Sequence, residues 1–312
     1  MKALWGCLKY FPPGLLTWIK QHSSARQRLW IRETFGGSYT SIPDRIQSVP
    51  DGRRFRIGPD LIYWPIYTGV GFEPEATHIL RHLLRAGDVS VDVGANFGWY
   101  TTLFAQICPQ GRVYAYEPVP ETFGRLLETL ALNDMRGNVT AVQAAVSDAA
   151  GTCSIFTFEK SSAYSSLSSR GEFGEKSQKA VEVPKVCLDQ HLSNQGVSHV
   201  DFLKCDTEGS ELMVLLGARG LLGAPDAPMI FIELNEPAFR AFGYGRDDVR
   251  QLLSSHGYDR FYEIVSAREL RPLHTPQAFA LAGSALCAKG NTVVERLAGT
   301  DSEIQQGSSM SG

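Results

Sequence analysis

The stretch that decides the fold reads VSVDVGANFG over residues 89–98. Its first half is apolar and β-branched, as expected of a buried parallel strand. Two glycines, Gly94 and Gly98, then break the pattern. Apolar residues recur after them at helical spacing, at Phe97, Tyr100, Phe104 and Ile107. This order of strand, glycine turn and helix predicts a binding site for a polar small molecule at the carboxyl end of a parallel strand.

The spacing of the glycines bears on the kind of ligand. A dinucleotide fingerprint reads G-x-G-x-x-G, but here the middle glycine is absent and Phe97 stands where a pyrophosphate would have to approach. The acidic Asp92, two residues before the first glycine, suits a ligand with a cationic or hydroxyl-rich part. The turn by itself leaves both kinds of ligand open.

The composition is that of an ordinary globular protein, with 43% hydrophobic and 20% charged residues in 312. A net charge of −3 gives no electrostatic case for a nucleic-acid partner. The six cysteines are scattered without a C-x-x-C pair, so we expect reduced thiols in a cytoplasmic protein and no metal bound by cysteine or histidine. No apolar run approaches the length of a membrane span.

The first 32 residues are basic and aromatic, with no acidic residue. This pattern fits a helical extension packed on the main domain, which we favour, or weak contact with a membrane surface. We predict helical extension and short strands over 1–72, the latter at Phe55–Ile57 and Leu61–Trp64. The main domain is predicted over 73–292 and a disordered tail over 293–312.

Strands and helices alternate through the predicted main domain. Helices are expected from Pro74 and near 97–107, 120–133, 212–216 and 246–256. The predicted strands of the sheet are 89–93, 112–116, 139–143, 200–205, 229–232, 260–265 and 284–289. Two further strands, 154–158 and 180–184, enclose the serine-rich stretch 161–169, which we expect to be a mobile loop suited to an active-site lid.

Acidic and amide side chains follow one predicted strand after another. They are Asp92, Glu117, Asp148, Asp206 with Glu208, and Glu233 with Asn235. Any one of them could simply cap a helix. Because five strand ends in turn carry such residues, a shared cleft at the carboxyl edge of the sheet is the better explanation.

Four motifs in this set resemble those of the FkbM-type S-adenosylmethionine-dependent methyltransferases. They are DVGANFG at 92–98, YEP at 116–118, AVSD at 145–148 and KCDTEGSE at 204–211. The resemblance covers about residues 70–290, and Cys205 departs from it conservatively, at a position that is usually aliphatic. It implies an α/β class I methyltransferase fold: a seven-stranded, mostly parallel sheet with the last strand antiparallel and helices on both faces.

The resemblance also implies roles for single residues. The cofactor, S-adenosyl-L-methionine, would be held by Asp92, Gly94, Asn96, Gly98, Glu117, Ser147, Asp148 and Asp206. In that set the glycine turn would cradle the methionine part, Asp92 would face its amino group directly or through water, and Glu117 would bind the ribose hydroxyls. Asp148 would contact the adenine amine, and Asp206 would lie beside the sulfonium.

Methyl transfer to an alcohol needs alignment of the reacting atoms and a base for the acceptor proton. Asp206 and Glu208 are the predicted catalytic carboxylates, and Tyr164, Glu233 and Asn235 are predicted to contact the acceptor. That acceptor is expected to be a hydroxyl of a small molecule, a sugar of a glycan or glycolipid, or a polyketide. We predict no metal, although Asp206, Glu208 and Glu233 could hold Mg²⁺ through oxygen.

Two other functions remain compatible with the chain. One is an NAD(P)-dependent oxidoreductase on a doubly wound sheet, which the missing glycine and the lack of a Tyr-x-x-x-Lys pair after residue 205 disfavour. The other is a non-catalytic module that keeps the fold to bind a cofactor or a partner, although no motif looks degraded. The sequence does not predict an oligomeric state.

Overall fold

The computed structural model describes residues 42–158 and 178–298. The extension predicted over 1–36, the serine-rich stretch 161–169 with Tyr164, and the tail 301–312 lie outside the described residues. Predictions for these segments stay predictions.

The described chain alternates between strands and helices. The strands are β1 (Arg45–Ser48), β2 (Arg54–Ile57), β3 (Val89–Val93), β4 (Arg112–Tyr116), β5 (Val139–Val142), β6 (Ala145–Ser147), β7 (Gly151–Phe158), β8 (Gln178–Cys187), β9 (Phe202–Cys205), β10 (Met229–Glu233), β11 (Arg260–Ser266), β12 (Glu269–Pro272) and β13 (Ser284–Ala288). The helices are α1 (Trp64–Tyr67), α2 (Pro74–Leu83), α3 (Trp99–Ile107), α4 (Pro120–Leu132), α5 (Leu188–Asn194), α6 (Glu211–Leu216), α7 (Arg219–Gly223), α8 (Glu236–Ala241), α9 (Arg246–Ser255) and α10 (Pro276–Leu281). Residues 292–298 are also helical, so the prediction of a disordered tail over 293–312 was wrong for residues 293–298.

The largest sheet has the strand order β12-β11-β13-β10-β9-β3-β4-β5. The five strands from β10 to β5 pair in parallel, whereas β13 lies antiparallel between β10 and β11. The predicted mostly parallel α/β sheet with an antiparallel last strand is therefore confirmed. An eighth strand at the edge, β12, was not predicted; it returns from β11 after a short turn and pairs antiparallel with it.

The register of the parallel strands brings their carboxyl ends level with one another. Val93 of β3 is opposite Tyr116 of β4 on one side and Cys205 of β9 on the other. Cys205 is in turn opposite Ile232 of β10. The residues that follow these strands, among them Asp206 and Glu233, therefore emerge side by side at one edge of the sheet.

Alternate residues of the central strands point to two separate cores. Ile230 and Ile232 of β10 pack with the core that includes residues of α5, α6 and α9, whereas Met229 and Phe231 pack with the core that includes residues of α2 and α3. This two-residue period is the pattern of a strand whose two faces are both buried. The predicted layers of helices on both faces of the sheet are confirmed.

A second sheet of three strands, in the order β6-β8-β7, was only partly predicted. The antiparallel pair β7 and β8 corresponds to the two predicted strands near 154–158 and 180–184. Residues 145–147, which follow the edge strand β5, pair in parallel with β8 instead of continuing into a loop. This short strand is too brief to be recognised from periodicity.

The segment before the main sheet corrects one prediction. Strand β2 contains Phe55–Ile57 as predicted, but the strand predicted over Leu61–Trp64 was wrong. Leu61–Tyr63 form a 3-10 helix that leads into α1. The carboxylate of Asp60 accepts the N–H of Ile62 at 3.0 Å, and Pro65 lies in the first turn of α1, so both the cap and the proline favour a helical start.

The β1–β2 hairpin packs in the same core as α3. Phe55 is fully buried, with its ring centroid 5.2 Å from that of Trp99 and 5.8 Å from that of Phe97. Arg53, also buried, donates to the carbonyl of Trp99 at 2.5 Å and lies over its ring. The described part of residues 1–72 thus shares a core with the sheet, while a domain boundary at residue 73 stays a prediction.

The five described cysteines are free thiols, as expected, and Cys108, Cys205 and Cys287 are buried. Among the helices of the described ranges, none combines the length and hydrophobicity that crossing a bilayer requires.

The packing of the hairpin generates a stability prediction. Phe55→Ala should lower the free energy of unfolding by about 3–5 kcal/mol, because it removes a buried aromatic ring and leaves a cavity against two others. The control is Ile46→Ala on the same hairpin, where the side chain is about half exposed and the change should stay within about 0.5 kcal/mol. Urea denaturation measures both. Equal stability of the two variants would contradict a shared core.

Candidate active site

A cleft opens at the carboxyl edge of the main sheet, and we call it the central cleft. Its walls come from residues 93–97, 116–119, 144–146, 204 and 206–208, together with side chains from outside the main sheet. It encloses about 930 Å³, including space open to solvent. Four neighbouring strands thus contribute to one cavity, whereas the sequence predicted a cleft shared by five strand ends.

The glycine turn after β3 owes its shape to backbone conformations that most residues avoid. Gly94 and Asn96 have φ angles of 76° and 50°. A Cβ on residue 94 would lie 1.8 Å from the carbonyl oxygen of Asp206, so this turn touches the loop after β9 directly. Gly98 has a different task. It does not line the central cleft, and a Cβ there would lie 2.8 Å from Leu126 of α4.

Asp92 lies beneath the central cleft and does not line it. It is fully buried, accepts the hydroxyl of Thr101 at 2.6 Å and forms an ion pair with Lys204 at 3.4 Å. The predicted contact with a ligand amino group would therefore have to pass through another group.

Glu117 lines the central cleft at the end of β4. One carboxylate oxygen accepts the N–H of Asn96 at 3.0 Å and the other accepts the N–H of Val119 at 2.9 Å. Burial raises the pKa of Glu117 to about 7, although these two amides act in the opposite direction. The turn after β3 therefore fixes the orientation of the acid at the end of β4.

Asp206 and Lys204 lie together at the end of β9. Nζ of Lys204 lies 3.6 Å from a carboxylate oxygen of Asp206. The Asp206 side chain is about one-third exposed and lines the central cleft. Burial lowers the pKa of Lys204, but the carboxylates of Asp206 and Asp92 outweigh that effect and raise it above its usual range. Lys204 lines the cleft and was missed in the list of site residues. A single lysine inside an otherwise apolar strand was the available signal.

Glu208 lines the central cleft, and Asn235 supports it from the end of β10. Glu208 has a left-handed φ of 55°, and the amide of Asn235 donates to its carboxylate at 3.4 Å. Burial, with the nearby charges of Asp206 and Glu211, raises the pKa of Glu208 well above its usual range. Neither Asn235 nor Glu233 is among the lining residues.

Two further carboxylates stand behind Asp206. Glu211 accepts the N–H of Thr207 at 2.7 Å and that of Gly209 at 3.0 Å, which shapes the loop after β9. Burial, together with Asp206 and Glu208, raises the pKa of Glu233 well above its usual range. Oxygen atoms of Asp206, Glu211 and Glu233 lie within 4.8 Å of one another. Both oxygens of Glu211 already accept amide bonds, and the absence of a metal stays a prediction.

The residues predicted for the adenine end are placed less directly. The hydroxyl of Ser147 donates to the carboxylate of Asp148 at 2.9 Å, and the ammonium of Lys185 lies 3.9 Å from the same carboxylate. Neither Ser147 nor Asp148 lines the central cleft. The preceding residues 144–146 line it instead. Because β6 pairs with β8, Ser147 belongs to the second sheet, opposite Cys187. The motif alone could not show this pairing.

Side chains far apart in sequence complete the walls. Ile62 and Phe72 come from the segment before β3, and Ile155 comes from β7. Tyr100 of α3 lines the cleft beside Lys204, and its hydroxyl donates to Glu73. Sequence reasoning missed these residues, since nothing in their local pattern distinguishes them from ordinary core positions.

Comparison with known proteins agrees with this arrangement. Residues 92–260, more than half of the chain, match the family model described as the methyltransferase FkbM domain. The chain belongs to this family. The resemblance drawn from the four motifs is thereby confirmed.

Relatives with curated names cover part of the chain. It is 32% identical over 152 residues to methyltransferase sdnD of Sordaria araneosa, and the match covers 41% of this chain and 59% of that protein. It is 27% identical over 183 residues to hexuronic acid methyltransferase AglP of Haloferax volcanii, covering 58% and 68% respectively. The 31-O-demethyl-FK506 methyltransferase FkbM of Streptomyces tacrolimicus is 30% identical over 172 residues, covering 45% and 64%. The chain thus spans about three-fifths to two-thirds of these relatives.

A solved structure is also similar. The crystal structure of methyltransferase FkbM from Methylobacillus flagellatus is 18% identical, with a TM-score of 0.44, and the match covers 72% of this chain and 50% of that one.

The family implies S-adenosylmethionine as cofactor, and the residues present fit such a group. A carboxylate held by two amides suits the diol of a ribose, and the turn at Gly94 exposes backbone to the same cleft. Ala144 and Ala145 line the same cleft.

The buried carboxylate of Glu211 generates a pH prediction. Burial raises its pKa from 4.5 to about 7 in the folded protein. A carboxyl group with a raised folded pKa gives its full stabilisation below about pH 4.5, and that stabilisation is lost as the pH rises to about 7. Glu211→Gln should resemble the protonated form, so the loss of unfolding free energy between pH 5 and pH 8 should be about 2–3 kcal/mol smaller than in the wild type.

Urea denaturation at both pH values measures this difference. The control is Glu269→Gln at an exposed position, which should keep the pH dependence of the wild type. A Glu211→Gln variant with that same pH dependence would show that the carboxyl is not protonated in the fold at neutral pH.

Proposed function

We propose that this protein is an S-adenosylmethionine-dependent O-methyltransferase that transfers a methyl group to a hydroxyl of a small molecule. The observation that carries the proposal is the convergence of Glu117, the Gly94–Asn96 turn and Asp206 on the central cleft of a chain in the FkbM family. These are the residue types that a ligand with ribose hydroxyls and a cationic amino-acid part requires.

The cofactor would lie across the carboxyl ends of β3, β4 and β9. When bound, it supplies a methyl group on a sulfonium that an acceptor oxygen can displace in line. Glu117 would bind the ribose hydroxyls, and its two amide contacts hold the carboxylate in place for that purpose. The backbone around Gly94 would face the methionine part, with Asp206 beside the positive charge.

The chemistry left to the protein is alignment and proton removal. An alcohol must lose its proton as the carbon–oxygen bond forms, so a carboxylate at the cleft serves as base. Glu208 is our candidate, because its carboxylate lines the cleft and accepts a hydrogen bond from the amide of Asn235. Asp206, paired with Lys204, suits the electrostatic role.

The class of the methyl acceptor is inferred from relatives and from the lining of the cleft. The names of two relatives refer to methylation of a hexuronic acid and of 31-O-demethyl-FK506. We propose a hydroxyl of a sugar, in a glycan or glycolipid, or of a polyketide. The apolar side chains of Ile62 and Phe72 at the cleft suit an acceptor with an apolar face as well as hydroxyls. Contact of residues 1–36 with a membrane surface and a cytoplasmic location stay predictions.

The first experiment is calorimetric titration of the purified protein with S-adenosylhomocysteine, alongside NAD and NADP. We expect micromolar binding of S-adenosylhomocysteine and none of the dinucleotides. Binding of a dinucleotide instead would favour an oxidoreductase. If none of the three binds, the non-catalytic alternative becomes the better reading.

The role of Glu117 has its own test. Glu117→Ala should weaken S-adenosylhomocysteine binding by about 1.5–3 kcal/mol, roughly 10- to 150-fold, because it removes a charge-assisted hydrogen-bond acceptor. The control is Glu121→Ala in the first turn of α4, where the side chain is 82% exposed and affinity should not change. A folded Glu117→Ala protein with wild-type affinity would rule out the ribose contact.

A further inference from the structure

Lys204 occupies a position where lysine is rarely found. It lies on β9 between Leu203 and Cys205, in the middle of the main sheet, and only 3% of its surface is exposed. Burying an unpaired ammonium is strongly unfavourable, because the charge loses its hydration. The groups that contact Lys204 must therefore offset this desolvation free energy.

Those partners belong to two loops and one strand. The ammonium donates to the carbonyl of Gly94 at 2.9 Å and lies 3.4 Å from a carboxylate oxygen of Asp92. It also lies 3.6 Å from a carboxylate oxygen of Asp206. One side chain therefore connects the buried acid of β3, the glycine turn that follows it, and the acid at the end of β9.

The surroundings make this cation distinctive. Among the described residues that line the central cleft, Lys204 is the one cationic side chain, whereas Glu117, Asp206 and Glu208 are acidic. The ring of Tyr100 lies 5.5 Å from its ammonium on the side of α3, and the carboxylate of Glu73 accepts the hydroxyl of that tyrosine. Three further carboxyl groups, those of Glu208, Glu211 and Glu233, lie near Asp206, and the charge of Asp206 contributes to the raised pKa of each.

We propose that Lys204 is a positioning residue of the cofactor site: its ammonium holds the Asp206 carboxylate against the Gly94 turn, in the orientation that faces the ligand. This inference rests on the function proposed above. It differs from a purely structural role, in which Lys204 would stabilise the sheet and affect binding only through general loss of order.

A double-mutant cycle on S-adenosylhomocysteine affinity separates these roles. Lys204→Met and Asp206→Asn should each weaken binding by roughly tenfold. If Lys204 acts through Asp206, the double variant should bind no more weakly than Asp206→Asn alone, since the carboxylate to be positioned is already gone. Losses that multiply in the double variant would overturn the proposal.

The matched control is Lys289→Met. Lys289 is also partly buried, donates to the carbonyl of Ala224 at 2.9 Å and lies over the ring of Tyr258, but it is not among the residues lining the central cleft. Combined with Asp206→Asn it should show independent effects, with affinity set by the Asp206 change alone. Coupling of equal size in this control would also overturn the proposal.

Folding of each variant is checked by circular dichroism and thermal unfolding. If Lys204→Met does not fold, the cycle is repeated in an Asp92→Asn background, where loss of the lysine no longer leaves a charged β3 carboxylate buried. A wild-type protein that binds no S-adenosylhomocysteine overturns the proposed function and this inference together. Wild-type binding with independent losses in the cycle overturns this inference alone.

Discussion

Two loops at the carboxyl edge of the sheet are in direct backbone contact. The turn after β3 approaches the carbonyl of Asp206 to a distance that excludes any side chain at Gly94. Lys204, whose ammonium reaches both sides, closes this contact from below. Because β3 and β9 are neighbours in register, the contact follows from the sheet itself, and the floor of the central cleft takes its shape from it.

The buried carboxyl groups around this contact lower the free energy of unfolding when they are charged. Glu117 and Glu211 each accept two backbone amides, yet burial still raises the pKa of both to about 7. Burial, together with the charge of Asp206, raises the pKa of Glu208 and that of Glu233 well above the usual range. Packing so many carboxylates together disfavours their charged forms in the folded state. Such a cluster is typical of functional sites, where the requirements of binding outweigh those of folding.

Much of this could be predicted from the sequence. The central strands were found because their apolar period is regular, and Glu117 and Asp206 because motifs place them at strand ends. Lys204 was not recognised, since its importance comes from Asp92 on the neighbouring strand. Asp92 was expected to face the ligand directly or through water, and only the structure shows that it lies beneath the cleft, because a motif cannot tell a lining residue from one below. The pairing of Ser147 with β8 could not be predicted either, because it is not local.

The walls of the central cleft have a different origin from its floor. Ile62, Phe72 and Ile155 come from segments that precede β3 or belong to the second sheet, whereas the floor is backbone against backbone, at Gly94 and Asp206. A substitution in the walls replaces one side chain by another, but at Gly94 any side chain would meet a carbonyl oxygen. The fold thus combines a floor that tolerates almost no change with walls whose shape a single substitution can alter.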